Sequence, residues 1–134
     1  MVEIPTLETP RLLLRAYRID DFDDYARMWA DPEVYCFIGG KAFTREAAWT
    51  RFLRQIGLWH HLGYGFFAVE HRETGAFAGE VGFHDLRRAI TPSLEGTMEV
   101  GWAVTPIMQG QGLAAEAMRT ALGWAGEHGT GTRL

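Results

Sequence analysis

This sequence has a single cysteine, no long apolar run and no excess of basic residues. Cys36 is the only cysteine, so an intramolecular disulfide and a cysteine-type zinc site are excluded, and a reducing cytoplasm is the expected compartment. No stretch approaches the roughly 20 apolar residues that cross a bilayer, and the N-terminus has neither the basic start nor the apolar run of a signal peptide. The formal net charge of -4 argues against a nucleic-acid partner.

The remaining composition is ordinary for one globular domain. The 134 residues fit a single domain over 1–134. The apolar share is 47% and the charged share is 22%, both typical of folded proteins with a buried core.

The apolar pattern predicts the order strand, helix, helix, three strands, helix. The predicted elements are a strand at 11–17, a helix capped by Asp20 and ended by Asp31-Pro32, a helix from Thr44 to the turn at Gly63–Gly65, strands at 65–70, 77–85 and 99–104, and a helix from Leu113 to about His128. The second helix has the apolar stripe Trp49, Phe52, Leu53, Ile56 and Trp59. Residues 35–42 and 89–96 are predicted loops. This order is typical of a mixed α/β (α+β) fold with antiparallel hairpins before the last crossover.

A glycine-rich loop from Gln109 to Ala114 joins the last predicted strand to the last helix. Glycines at 110 and 112 allow a tight turn and a close approach of the backbone to a ligand. The helix that follows offers unpaired N–H groups and the positive end of its dipole. The sequence therefore predicts an anion site suited to a pyrophosphate, with a plain glycine turn as the alternative.

Two known phosphate motifs fit this loop poorly. A P-loop requires Gly-Lys-Ser/Thr after its glycines, and none is present. The dinucleotide fingerprint can be aligned with Gly110, Gly112 and Ala115, but residues 105–109 separate it from its strand. The fingerprint also requires a parallel sheet and an acidic residue about 20 positions later. A dinucleotide-binding domain remains a less favoured alternative.

The loop resembles the Gln/Arg-x-x-Gly-x-Gly/Ala motif of GNAT N-acetyltransferases, with Gln109, Gly112 and Ala114 at the three motif positions. Flanking segments are similar to the Rim-type (ribosomal-protein N-acetyltransferase) branch, and these are 7–15, 79–83, 99–106 and 112–117. The resemblance thus covers nearly the whole chain.

This resemblance implies a fold, a co-substrate and binding residues. It implies a central, mostly antiparallel sheet flanked by helices, and acetyl-CoA as co-substrate without a metal. The residues implied to hold the CoA pyrophosphate, mainly through backbone N–H groups, are Gln109, Gly110, Gln111, Gly112, Leu113 and Ala114. The residues implied to hydrogen-bond the pantetheine arm, as an extra strand would, are Trp102, Ala103 and Val104.

Acyl transfer to an amine requires a base, because the attacking nitrogen must be neutral. Glu99, at the start of the motif strand, is the first candidate, and some Rim-type relatives use a glutamate on this strand. His84 on the preceding strand is the second. Either residue could instead be an ordinary polar side chain of the sheet. The adjacent pair His60 and His61 lacks metal-ligand spacing.

The expected partner is an amine, either a protein N-terminus or a small molecule, with no nucleic acid and no membrane. A homodimer is left open. The Tyr35–Ile38 segment would border the acceptor site or belong to the core. The family continues beyond the last helix with a strand, a helix and a hairpin, so the sequence indicates a C-terminally truncated domain with no residue to protonate the CoA thiolate. The alternative is a non-catalytic CoA-binding or interaction module.

Overall fold

The computed structural model describes residues 3–35, 40–85 and 98–127, which form five strands and four α-helices. The elements are β1 (Leu7–Glu8), β2 (Leu12–Arg15), α1 (Phe22–Trp29), α2 (Pro32–Tyr35), α3 (Arg45–Leu62), β3 (Phe66–His71), β4 (Phe77–His84), β5 (Glu99–Val104) and α4 (Leu113–Glu127). Short 3-10 turns occur at Ile19–Asp21 and Pro106–Met108. The predicted loop at 89–96, residues Cys36 to Ile38, and His128 lie outside the described residues.

The five strands form one antiparallel sheet in the order β1-β2-β3-β4-β5. The register pairs Leu14 with Val69, Phe67 with Val81, and Val81 in turn with Trp102. The predicted α+β class with antiparallel hairpins is confirmed. The described sheet is not the parallel sheet that a dinucleotide-binding domain requires, and β5 lies at one of its edges.

Capping residues explain where α3 begins and ends. The Thr44 hydroxyl accepts a 3.0 Å hydrogen bond from the N–H of Ala47, and Gly63 ends the helix in the left-handed conformation at φ 77. The predicted cap at Asp20 is wrong, because a 3-10 turn precedes α1. The neighbouring Asp21 carboxylate instead accepts hydrogen bonds from the Arg15 side chain.

Apolar side chains cover both faces of the sheet. One cluster joins Leu12, Phe67 and Val81 of the strands to Ala117 and Ala121 of α4. The small alanines let α4 lie close to the sheet.

The second cluster joins α1 and α3 to the opposite face, through Tyr25, Trp29, Phe52 and Ala103. The predicted stripe of α3 is only partly buried, since Trp49 is 38% and Leu53 is 46% exposed. The Trp49 ring lies at the margin, where it packs against Phe22 and Phe52. None of the helices within the described residues is both long and apolar enough to span a membrane.

Candidate active site

A cleft of about 410 Å³ opens where the C-terminal end of β5 meets α2 and the start of α4. Its lining includes Trp102, Ala103 and Val104 of β5, and Gln109, Gly110, Gly112, Leu113 and Ala114 of the loop and α4. The fold thus brings the two predicted groups of cofactor residues to one place. Gln111 does not line this cleft, and its side-chain amide donates to the Ile107 carbonyl at 3.1 Å.

The glycine loop leaves the N-terminus of α4 without a side-chain cap. Gly110 and Gly112 have φ values of 77 and 75, a region that glycine enters without the steric cost other residues incur. The Gly112 carbonyl accepts the first helical hydrogen bond, from the N–H of Glu116 at 3.1 Å. Because glycine has no side-chain oxygen, Gly112 cannot cap the N–H groups of the first turn, which include those of Leu113 and Ala114, and N–H groups at such a position bind anions readily.

The Gln109 side chain ties the walls of the cleft together. Its amide nitrogen donates to the Val104 carbonyl at 3.1 Å and lies 3.4 Å from the Glu33 carbonyl of α2. This glutamine therefore links the end of β5 to α2 across the base of the loop.

The outer edge of β5 presents backbone groups to the cleft. The N–H of Thr105 donates to the Ala78 carbonyl at 2.9 Å, and Ala103 pairs with Glu80. Because bonding to one neighbour alternates along an antiparallel strand, Ala103 uses its N–H and C=O within the sheet, whereas Trp102 and Val104 point theirs outward. An extended ligand beside β5 would therefore meet the backbone of Trp102 and Val104, whose carbonyl also accepts from Gln109, and not the N–H or C=O of Ala103.

The two candidate bases, Glu99 and His84, lie directly opposite each other on β5 and β4. His84 is 7% exposed, and its ring centroid is 5.3 Å from that of Phe66. A β-carbon added to Gly101 would lie 3.9 Å from the His84 ring and 3.1 Å from the Phe66 ring, so the glycine leaves room on this face. Glu99 is four positions from Ala103, a rise of roughly 13 Å along the strand. A ligand arm that runs along β5 from the cleft would approach this pair.

A wall of the cleft that the sequence did not predict comes from α2, through Glu33 and Val34. The pair Asp31-Pro32 was interpreted only as the end of the preceding helix, which does end at Trp29. The same pair also begins α2, since Asp31 accepts a 2.9 Å hydrogen bond from the N–H of Glu33 and proline is favoured at a first helical position. The signal for α2 was therefore present in the sequence.

A buried polar cluster, also absent from the sequence predictions, lies under the α1–α3 layer around Glu80. This side chain is 2% exposed, accepts a 2.7 Å hydrogen bond from the Tyr17 hydroxyl and is 3.6 Å from the Arg51 guanidinium. Burial raises the pKa of Glu80, and the Arg51 charge opposes that rise only in part. The sequence signal for this cluster was an acidic residue in the middle of β4, whose neighbouring residues are apolar or glycine.

Other polar groups show no metal site. Within 3–35, 40–85 and 98–127, no three histidine, cysteine, aspartate or glutamate side chains are grouped to hold a metal ion. The His60 and His61 rings meet edge to face, with centroids 4.9 Å apart.

Comparisons with known proteins agree with the fold. The acetyltransferase (GNAT) domain family matches residues 11–134. A solved structure of a putative GnaT-family acetyltransferase from Bordetella pertussis is 31% identical, with a TM-score of 0.82 over 93% of this chain and 74% of that chain. A Rim-type ribosomal-protein α-N-acetyltransferase, RimL, solved in complex with coenzyme A, is 16% identical with a TM-score of 0.68, over 93% of this chain and 70% of that chain. At this identity the likeness shows the fold alone.

A curated relative gives the same family. The uncharacterized N-acetyltransferase p20 of Bacillus licheniformis is 28% identical over 115 residues, which are 85% of this chain and 62% of that protein. The chain therefore spans less than two thirds of that relative's length. Because the family match takes in nearly all of the sequence, the chain belongs to the GNAT acetyltransferase domain family.

Proposed function

We propose that this domain binds acetyl-CoA in the cleft beside β5 and transfers the acetyl group to an amine. The observation that carries the proposal is the cleft itself, in which the outward backbone of β5 meets the uncapped N-terminus of α4. An extended thioester arm attached to a pyrophosphate matches these two features, since the arm can pair with the strand backbone and the pyrophosphate can bind at the helix N-terminus. The coenzyme A complex of RimL, a protein with the same fold, adds support.

The proposed binding mode divides the cofactor between two elements. The pyrophosphate lies against the N–H groups of Gly112, Leu113 and Ala114, where the helix dipole favours an anion. The pantetheine arm lies along β5 and exchanges hydrogen bonds with Trp102 and Val104, as an added strand would. Gln109 and Gln111 hold the loop rather than the ligand.

The proposed chemistry is direct attack. A base first removes one proton from the substrate ammonium, and the resulting neutral amine nitrogen attacks the thioester carbonyl carbon. The tetrahedral intermediate then breaks its carbon–sulfur bond to release the CoA thiolate, and the second nitrogen proton passes to solvent as the amide forms. Glu99 is the proposed base, directly or through a water molecule, with His84 beside it. The acceptor is a protein N-terminus or a small amine.

The proposed cofactor site is tested with one substitution in the glycine loop. Gly112→Asp places a carboxylate and a strained residue at the N-terminus of α4, so CoA binding measured by calorimetry should fall by at least roughly a hundredfold. Gly126→Asp, the same change near the other end of α4 where a β-carbon meets nothing within 4 Å, should retain the wild-type affinity. Wild-type affinity in Gly112→Asp would contradict the cofactor site.

The base is tested by the pH dependence of free-thiol release from acetyl-CoA with a panel of amines. Glu99→Gln should lower the rate by roughly a hundredfold at pH 7 and by much less at high pH, where the free amine is plentiful. Equal losses at both pH values would remove Glu99 as the base. A pH-dependent loss in His84→Gln alone would assign the role to His84.

A non-catalytic CoA-binding module is the second candidate function. The cleft beside β5 would suffice for this function, because binding requires no base. CoA binding that persists without thiol release on any amine of the panel would support the module over the enzyme.

A further inference from the structure

The turn between β1 and β2 is hydrogen-bonded to the first turn of α4 and to the loop before it. The Arg11 guanidinium donates to the Glu116 carboxylate at 2.8 Å and to the Gln111 carbonyl at 2.7 Å. The backbone N–H of Arg11 and the Thr9 hydroxyl donate to the second oxygen of the same carboxylate. Residues about a hundred positions apart in the chain thus fix the glycine loop in place.

The Glu116 carboxylate needs a partner if an anion is to bind beside it. It lies in the first turn of α4, where the N–H groups are open to a phosphate. Burial alone would raise its pKa, but the hydrogen bonds from Thr9 and Arg11 outweigh burial and hold the pKa below its ordinary value. Glu116 is therefore anionic at neutral pH, and its charge would repel a pyrophosphate unless it is compensated.

Arg11 also lies against the loop itself. A β-carbon on Gly112 would be 3.6 Å from the second terminal nitrogen of the Arg11 guanidinium. One side chain thereby contacts Glu116, the Gln111 carbonyl and the edge of Gly112.

We propose that Arg11 is a positioning residue for the pyrophosphate site, acting in two ways. It holds the Gln111 carbonyl between the two left-handed glycines Gly110 and Gly112, and it neutralises Glu116 so that the start of α4 remains attractive to an anion. This inference rests on the proposed cofactor site.

The test compares the affinities of four proteins for CoA and for dephospho-CoA by calorimetry. Arg11→Met should weaken binding of both ligands by roughly tenfold, because a charged hydrogen-bond partner is lost and Glu116 is left uncompensated. Both ligands carry the pyrophosphate, so the loss should be equal. Adding Glu116→Gln to Arg11→Met should restore part of the affinity, because it removes the exposed negative charge. Arg72 lies in the β3–β4 turn, and its guanidinium donates to the Thr9 carbonyl. Arg72→Met therefore removes a positive charge beside the β1–β2 turn and should bind as the wild type does.

Three outcomes would overturn the inference. These are wild-type affinity in Arg11→Met, a loss confined to CoA that would place Arg11 at the 3′-phosphate, and a double variant no tighter than Arg11→Met. Thermal unfolding of each variant verifies that it is folded, and in steady-state kinetics Arg11→Met should raise the KM for acetyl-CoA and leave kcat unchanged. If the wild type itself does not bind CoA, the proposed function fails instead.

Discussion

Single residues with buried charge set the pH response of this domain. Glu80 and Asp21 are both acidic and both buried, yet their surroundings act in opposite directions. Burial dominates at Glu80 and raises its pKa despite the nearby Arg51. At Asp21 burial is the largest single influence and also acts upward, but the hydrogen bonds from Arg15 and from the Arg18 N–H, together with the charges of both arginines, outweigh it and lower the pKa.

These opposite shifts predict opposite stability profiles. The raised pKa of Glu80 means that its contribution is complete below the ordinary value of 4.5 and is lost as pH rises through the folded-state pKa. Glu80→Gln should therefore gain stability relative to the wild type as pH rises from 4.5 through the folded-state pKa of Glu80, as measured by urea unfolding. The lowered pKa of Asp21 means that its contribution is present above 3.8 and is lost as pH falls, so Asp21→Asn should be least stable relative to the wild type at neutral pH. Parallel profiles for the two variants would contradict this account.

At the scale of the elements, β4 and β5 approach so closely that Gly79 is required. A β-carbon at this position would lie 2.0 Å from the Ala103 carbonyl oxygen, and the φ value is 152. No side chain can be placed there unless one strand moves. Because Ala103 lines the cleft, any movement of β5 also alters the proposed cofactor site.

Gly79→Ala should accordingly reduce both stability and CoA affinity. We expect the free energy of unfolding to fall by about 2 kcal/mol or more, through strain and overpacking, with weaker CoA binding in the folded fraction. Gly57→Ala on α3, where a β-carbon meets nothing within 4 Å, should be neutral or stabilising because alanine favours a helix. Urea unfolding and calorimetry of the two variants give the comparison, and a wild-type midpoint for Gly79→Ala would show that the strands can separate at little cost.

Some elements were predictable from local pattern and others were not. The cap at Thr44, the end of α3 at Gly63 and the strand from Glu99 to Val104 follow from short-range rules, and the structure contains them. The helix α2 was missed because four residues carry too little periodicity to be recognised, even with the start signal of Asp31-Pro32.

For the molecule as a whole, the order of elements predicted the antiparallel sheet, and the glycine loop indicated the place of the candidate site. Contacts between distant parts of the chain could not be predicted in this way. The pairs Arg11–Glu116 and Tyr17–Glu80 join residues 105 and 63 positions apart, and nothing in the spacing or type of these residues in one sequence identifies their partners. Such contacts depend on the full packing of the sheet against its helices.

Under the proposed binding mode, the backbone groups on the outer edge of β5 link cofactor binding to self-association of the protein. In the described part of the chain β5 has one strand neighbour, β4, and Trp102 on its free side is 49% exposed. An edge of this kind accepts any extended chain that can form the same hydrogen bonds. Under the proposed binding mode, acetyl-CoA and a second protein molecule would compete for these groups, so saturating CoA should reduce self-association of the protein, as measured by light scattering.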